Sequence, residues 1–318
     1  MNILITGCAG FIGNSLTQKL LKKNKKIKII GLDNLNNFYS VQLKKKRLSL
    51  IKKYKNFKFY KVDLLDKKKL EKIFKKNKID IIFNFAAQAG VRYVKSHPEK
   101  FLESNIYGFH NLIEVSKKYK IKKFFYASSS SVYGDRNSYP VSEISELKPK
   151  NIYGLSKKFN EEYVCMNFNK YTKYIGLRLF TVYGEWGRPD MLILKFLDHA
   201  KKNKSFYLNN SGNHWRDFTY IEDVVNVCEK LMNKQFKQNQ IFNICNGKPI
   251  FIKNVIRYLS NKTGFRKIIN VKNNNIEVFK THGKNSKLAK FTKYKNFKNF
   301  YEKVDNVIAW YYRYQNFL

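Results

Sequence analysis

Four serines, a tyrosine and a lysine have the types and spacing that proton chemistry needs. Ser128-Ser129-Ser130-Ser131 follows the apolar run Lys123–Ala127, which reads as a strand, and Tyr153 and Lys157 stand in Tyr153-Gly154-Leu155-Ser156-Lys157. Residues i and i+4 share one helical face, so the phenol and the ammonium project into the same space. A free phenol titrates at about 10 and is a poor base near neutrality, and a neighbouring ammonium favours its phenolate. The spacing alone also arises by chance on a solvated helix face in a chain with 22 Tyr and abundant lysine. The serines distinguish the two readings. At the carboxyl edge of a strand, where α/β proteins bind ligands, a hydroxyl can hold a substrate hydroxyl and pass its proton towards Tyr153. Serine, tyrosine and lysine together suit the interconversion of an alcohol and a ketone.

That chemistry needs a hydride acceptor, an oxidised nicotinamide whose positive ring also helps the lysine favour the phenolate, and Gly7-Cys8-Ala9-Gly10-Phe11-Ile12-Gly13 supplies a place for one. It follows the predicted strand Asn2–Thr6 and opens the predicted helix Phe11–Lys23. Glycine is needed where the chain turns tightly, where backbone approaches a pyrophosphate and where helix packs on strand. The helix start offers N–H groups and a positive dipole end to the phosphates. An ordinary βα loop can also be glycine-rich. Asp33, 20 residues beyond Gly13 at the end of the predicted strand Ile27–Leu32, adds the carboxylate that binds ribose hydroxyls. The same carboxylate repels a 2′-phosphate, and Asn34 rather than arginine follows it, which selects NAD over NADP. Asp63, past the strand Phe57–Val62, is placed either to reach the adenine or to cap the helix Lys67–Lys76.

Further elements must hold these groups in register. Ile79–Phe85 and Tyr174–Leu179 read as strands, Tyr153–Tyr171 as a helix, and Pro98–Lys120 as a long amphipathic helix with Leu102, Ile106, Phe109, Leu112 and Ile113 on its apolar face. Strands alternating with helices predict an α/β fold, a Rossmann-type doubly wound parallel sheet over residues 1–180. After Gly184 the pattern loosens, predicting a smaller C-terminal α/β substrate lobe over 181–318, with segments of the two interleaving. Hydrophobic residues at 43% exclude a wholly disordered chain. Cys8, Cys165, Cys228 and Cys245 are too scattered for a disulfide framework or a zinc site, which points to a reducing compartment, the cytoplasm. No run of eighteen apolar residues exists to span a membrane. The first eighteen residues are uncharged, but three glycines and the lack of a basic start argue against a signal peptide.

The 63 Lys+Arg against 23 Asp+Glu, a formal +40, suggest nucleic acid or a membrane surface. Only nine of the 63 are arginine and lysine is spread along the whole chain, so no specific nucleic-acid partner is expected. The densest stretch, Arg266–Lys298, contains the single acid Glu277. A positive field of this kind attracts an anionic small substrate.

The motifs together resemble the extended short-chain dehydrogenase/reductase family of nucleotide-sugar epimerases and dehydratases, and within it the UDP-glucuronate 4-epimerases. They are TGCAGFIG at Thr6–Gly13, LDNLN at Leu32–Asn36, FAAQAGVRY at Phe85–Tyr93, ASSSSVYG at Ala127–Gly134, YGLSK at Tyr153–Lys157, RLFTVYGEWGRPDM at Arg178–Met191 and WRDFTYIEDV at Trp215–Val224. The resemblance implies Tyr153, Lys157 and Ser129 as catalytic residues, Ser130 being the fallback if the serine run shifts by one. It implies NAD contacts from Gly7, Gly10, Phe11, Ile12, Gly13, Asp33, Asn34, Asp63, Leu64, Phe85, Ala86, Ala87, Tyr153 and Lys157, no metal, and a homodimer in which the Pro98–Lys120 and Tyr153–Tyr171 helices form a four-helix bundle. The substrate, a UDP-sugar, is implied to meet Arg92, Ser129, Ser130, Thr181, Arg188 and Arg216, with Arg216 on the diphosphate. The family's Pro-Gly-Asp turn, which helps grip that diphosphate, is replaced by Asn273-Asn274-Asn275.

Family dehydratases and decarboxylases carry acids before Val-Tyr-Gly; here Ser130 and Ser131 stand there, so epimerisation is expected over elimination. Arg188 can pair with a uronate carboxylate through two parallel hydrogen bonds, or serve only as a loop residue. Rival expectations are epimerisation of UDP-glucose or UDP-N-acetylglucosamine, a sugar-nucleotide decarboxylase or dehydratase, and a non-catalytic NAD- or RNA-binding relative.

Overall fold

Alternation along the first strand sets the architecture. Ile3 and Ile5 of β1 (Asn2–Thr6) bury on one side and Leu4 on the other, so both faces of the sheet are covered. The computed structural model describes residues 1–168, 171–272 and 277–317, leaving the side chains of Arg92 and Lys95 outside the description. The chain continues through α1 (Phe11–Lys23), β2 (Lys28–Asp33), α2 (Val41–Lys52), β3 (Phe57–Lys61), α3 (Lys67–Lys76) and β4 (Ile81–Asn84). It then forms α4 (Pro98–Phe101), α5 (Gly108–Lys118), β5 (Lys123–Ser129), α6 (Ile152–Asn167) and β6 (Lys173–Leu179). The remainder comprises β7 (Thr181–Tyr183), α7 (Leu192–Lys201), β8 (Phe206–Asn209), β9 (Trp215–Tyr220), α8 (Ile221–Asn233) and β10 (Gln240–Ile244). Last come β11 (Pro249–Phe251), α9 (Ile252–Thr263), β12 (Ile268–Val271), α10 (Ser286–Thr292) and α11 (Phe300–Tyr314).

Seven strands pair in parallel in the order β3-β2-β1-β4-β5-β6-β10. This is the doubly wound Rossmann arrangement, and its order reverses between β1 and β4, where such sheets open a crevice at their carboxyl ends. One face packs on α1 and α8 through Leu16 and Val227; the other packs on α3, α5 and α6 through Leu70, Leu112 and Val164. Full burial of each such side chain contributes about 1.5–3 kcal/mol. β10 joins the large sheet although β7, β8 and β9, which precede it, form two small sheets with β11 and β12. Among the described residues no helix is long and apolar enough to cross a membrane.

Two expectations need correction. The helix expected over Pro98–Lys120 is broken: between α4 and α5, Leu102–Tyr107 winds as a π-helix. The wider turn rotates the apolar face. Leu102 is therefore exposed while Phe109, Leu112 and Ile113 are buried. The helix expected over Tyr153–Tyr171 begins at Ile152, where Asn151 accepts the Gly154 N–H (2.9 Å), and ends at Asn167.

Candidate active site

The crevice gathers the ends of β1, β2, β4 and β5. Gly7 leaves β1 at φ +68°, in the left-handed region. A Cβ on Gly7 would meet the Ala86 nitrogen at 2.8 Å, and a Cβ on Gly13 would overlap the Gly7 carbonyl oxygen. α1 then starts from Gly10 with no side-chain cap and no acid in its first turn, which leaves its positive end for an anion. Asp33 is buried at the end of β2, its Oδ2 accepting the Ala9 N–H (3.0 Å) and its Oδ1 the Leu35 N–H (2.8 Å). Burial raises the Asp33 carboxyl above its usual range, and the two N–H bonds and the Lys44 ammonium oppose that rise. Asn34 donates to Asp63 Oδ2 (2.7 Å), and Asp63 Oδ1 accepts the Leu65 N–H (2.9 Å). The cap of α3 is Asp66, which accepts the Lys69 N–H (3.0 Å), so Asp63 does not cap that helix. Phe85, Ala86 and Ala87 leave β4 beside Gly7, with the Ala86 N–H held by Thr6 Oγ1 (3.1 Å), and Leu64 is buried against Gly108. A phosphate-ready helix start, turns with no room for a Cβ and a carboxylate on the next strand fit a dinucleotide.

The serines separate into different settings. Ser128 donates to Glu161 (2.5 Å), which forms a buried ion pair with Arg178 (2.7 Å). The Ser128 bond pins the end of β5 to α6, and the ion pair ties α6 to β6. Ser129 hydrogen-bonds the Tyr153 phenol and accepts the Ser131 N–H (3.1 Å). Ser130 lies in the short turn Ser130–Val132, its carbonyl accepting the Tyr133 N–H (3.2 Å). Of the two serines left open by the sequence, Ser129 is the one beside the phenol. Lys157 is buried one turn along α6, its Nζ 6.0 Å from the centre of the Tyr153 ring.

Burial lowers Lys157 to about 8. Burial also raises the Tyr153 phenol, against the Ser129 hydrogen bond and the Arg188 charge, which pull it down. Desolvation is the largest influence on the phenol within the chain.

Thr181 and Arg188 line one cleft with Phe11, Gly187 and Met191. Arg188 Nε and Nη2 donate to Asp190 at 3.0 and 2.6 Å. This side-on pair leaves the Nη1–Nη2 edge for a second carboxylate. The guanidinium lies 5.7 Å from the Phe38 ring centre. Burial works to lower its pKa, but Asp190 outweighs it. Arg216 sits apart, in a pocket with Asn209, His214 and Phe279, paired with Glu277 at 3.1 Å. The structure thus brings Ser129, Tyr153, Lys157, Thr181 and Arg188 together and places Arg216 in a separate pocket. The Arg92 side chain and Asn273-Asn274-Asn275 lie outside the described residues.

Beside Arg216, Asp217 is fully buried and accepts N–H groups of Asn246 (3.0 Å), Gly247 (3.1 Å) and Gly283 (3.1 Å). It ties β9 to the segments that follow β10 and precede α10. Burial pushes its carboxyl up to about 7, against those N–H bonds. Asp217→Asn turns one acceptor towards these donors into another donor. At pH 8 it is expected to destabilise by about 1–3 kcal/mol, read as a lower denaturant midpoint with an unchanged slope. An unchanged midpoint would show that the carboxylate is not needed there.

Residues 3–245 match the NAD dependent epimerase/dehydratase family. The chain belongs to that family. It is similar to the protein CapI of Staphylococcus aureus, 39% identical over 83% of this chain and 84% of that one. It is 36% identical to a UDP-glucuronate 4-epimerase of Thermodesulfobacterium geofontis, over 82% of this chain and 80% of that one. Among solved structures, UDP-glucuronic acid 4-epimerase from Bacillus cereus in complex with UDP-glucuronic acid and NAD superposes with a TM-score of 0.93 at 28% identity, covering 98% of this chain and 99% of that chain.

Reading this NAD dependent epimerase/dehydratase from sequence missed two positions. Asn105, in the π-helix, donates to the Gln88 carbonyl and Ser156 Oγ (3.0 Å each) and accepts the Gln88 N–H (2.7 Å). It joins the loop after β4 to α6, and a lone buried asparagine inside an apolar pattern was its only signal. Arg47, in α2, had no sequence signal beyond one arginine in a lysine run. Neither residue lies within the motifs that carry the resemblance.

Proposed function

We propose that the chain interconverts UDP-glucuronate and UDP-galacturonate by NAD-dependent 4-epimerisation. One observation carries the substrate choice: Arg188 offers a two-pronged edge in the cleft with Thr181, close enough for its charge to bear on Tyr153. The similarity to proteins named UDP-glucuronate 4-epimerase supports the same reading.

Residues 1–180 hold NAD and 181–318 chiefly hold the nucleotide sugar. Gly7, Gly10, Phe11, Ile12 and Gly13 take the pyrophosphate, Asp33 the ribose, Asn34, Asp63 and Leu64 the adenine end, and Phe85, Ala86 and Ala87 the nicotinamide end. Bound NAD supplies the reversible hydride acceptor and, when oxidised, the positive ring that Tyr153 needs. Ser129 holds the sugar 4-hydroxyl and bridges its proton to Tyr153, which acts as general base. Lys157 sets the charge around the phenol. The 4-ketose then presents its other face, and Tyr153 returns the proton to the inverted alcohol. A 4-keto uronate is a β-keto acid and loses carbon dioxide when the breaking bond aligns with the carbonyl π system. Arg188 therefore grips the carboxylate and keeps that bond out of alignment. Ser130 and Ser131 provide no acid to expel water, and Arg216 engages the diphosphate in place of Glu277.

The deciding experiment incubates the purified protein with UDP-glucuronate and follows carbon-4 stereochemistry by proton NMR, with released carbon dioxide measured in parallel. The reading expects a mixture of the two uronates, no net NADH and little gas. No turnover of UDP-glucuronate alongside turnover of UDP-glucose or UDP-N-acetylglucosamine would move the substrate class. Such a product is a precursor for surface polysaccharide in the cytoplasm.

Leu102 and Tyr107 beside α5, and Leu155 and Met166 on α6, are exposed apolar side chains on the two helices expected to form a homodimeric four-helix bundle. Met166→Glu is expected to convert a sedimenting dimer to a monomer. A wild-type monomer at micromolar concentration would remove the dimer.

A further inference from the structure

Arg47 is fully buried, where an arginine is tolerated only with its donors satisfied. Its partners come from both sides of the site. Nη1 donates to the Ala9 carbonyl (3.2 Å), inside the cofactor turn, and to the Tyr39 hydroxyl (2.7 Å). Nε and Nη2 donate to the Trp186 carbonyl (3.0 and 2.6 Å), and Nη2 also to the Gly187 carbonyl (2.8 Å). Trp186 and Gly187 immediately precede Arg188. Trp186 itself sits at φ +60° and packs on Trp310 and Tyr314 of α11, so its conformation is held rather than relaxed. Around Arg47, Asn14 donates to its carbonyl (2.9 Å) and to that of Cys8 (3.2 Å), fixing α2 on the same turn.

We propose that Arg47 is a positioning residue that locks the loop carrying Arg188 to the cofactor turn, so that the carboxylate grip is set by the same structure that holds NAD. The inference rests on the uronate reading of Arg188 and adds a residue to it. The planar fork is required, because three carbonyls on two separate segments must be met at once. A compact ammonium on a flexible stem meets one or two of them, and a thioether none.

The test uses the full-length protein carrying its bound NAD, with Arg47→Met and Arg47→Lys. Both are expected to raise KM for UDP-glucuronate by about tenfold with kcat changed little, the pattern of lost carboxylate binding rather than lost chemistry. NAD released by acid should stay at the wild-type ratio to protein, and carbon dioxide per epimerisation should rise with both variants. A merely structural arginine predicts the opposite split, namely a lower active fraction and kcat with KM unmoved. Recovery of the wild-type KM by Arg47→Lys would also overturn the proposal, since charge alone would then suffice. If Arg47→Met does not fold, Tyr39→Phe removes only one partner of the fork and is expected to raise KM about threefold in the same direction; an unchanged KM overturns the proposal. Wild-type protein that leaves UDP-glucuronate untouched removes the uronate reading itself. Wild-type turnover with unaltered variants removes only the role of Arg47.

Discussion

Tyr153→Phe is expected to lower kcat for epimerisation by about 10²–10⁴-fold while leaving the fold and the bound NAD in place. The substitution removes one oxygen and keeps the ring that packs edge-on against Phe101 at 6.2 Å. The lost oxygen is the one Ser129 bonds, so the proton of the sugar hydroxyl loses its acceptor and its relay together. The structure sharpens what ionises the phenol. Burial raises Tyr153 against the Ser129 hydrogen bond and the Arg188 charge, and burial lowers Lys157 to about 8. Stopped-flow measurement of the first half-turnover separates this step from product release. Turnover near the wild-type rate would remove Tyr153 as the base.

Arg188→Lys is expected to cost about 1.5–3 kcal/mol of transition-state binding for UDP-glucuronate, roughly 10–150-fold in kcat/KM. Arg188 gives Asp190 one edge of its fork, and on the proposed reading another edge meets the uronate carboxylate. Lysine keeps the charge, has no edges, and faces an Asp190 that competes for it. A carboxylate held by a point charge rotates, so the variant should also release carbon dioxide and form a pentose by-product. Equal loss on UDP-glucose with no gas would reduce Arg188 to a loop residue and leave the epimerase reading standing.

The first strand was legible in the sequence as a contiguous apolar run, and the helices after it and after β3 by apolar residues three and four apart. Asn2–Thr6, Phe11–Lys23 and Lys67–Lys76 form over the residues expected. α2 was not legible. Its buried side is Leu43, Lys44, Arg47, Leu48 and Ile51, so two of its five inward positions carry charges that a hydropathy pattern assigns to solvent. Lys44 nonetheless reaches the Asn36 carbonyl (2.7 Å) and side chain (2.6 Å). The same camouflage hid Arg47, in a chain where cations decorate nearly every surface. The break at Leu102–Tyr107 was hidden for another reason, since a π-turn changes hydrogen-bond register without changing composition. In the candidate site, residue types announced the trio, and packing told Ser129, beside the phenol, from Ser130 in the turn that follows.

The place of β10 in the large sheet has a consequence for how the chain comes off the ribosome. β6 is buried from Tyr174 to Leu179 in the finished protein, yet its outer neighbour, β10, is translated about 65 residues later. At about 5–20 residues per second, that interval lasts roughly 3–13 s. Throughout it the nascent sheet ends in an apolar strand with open backbone groups, a template for pairing with another chain. A polypeptide stopped at residue 180 keeps that edge permanently, so it does not behave as a free-standing nucleotide-binding domain. Native yield is therefore a race between elongation across residues 180–240 and capture of β6 by a neighbour.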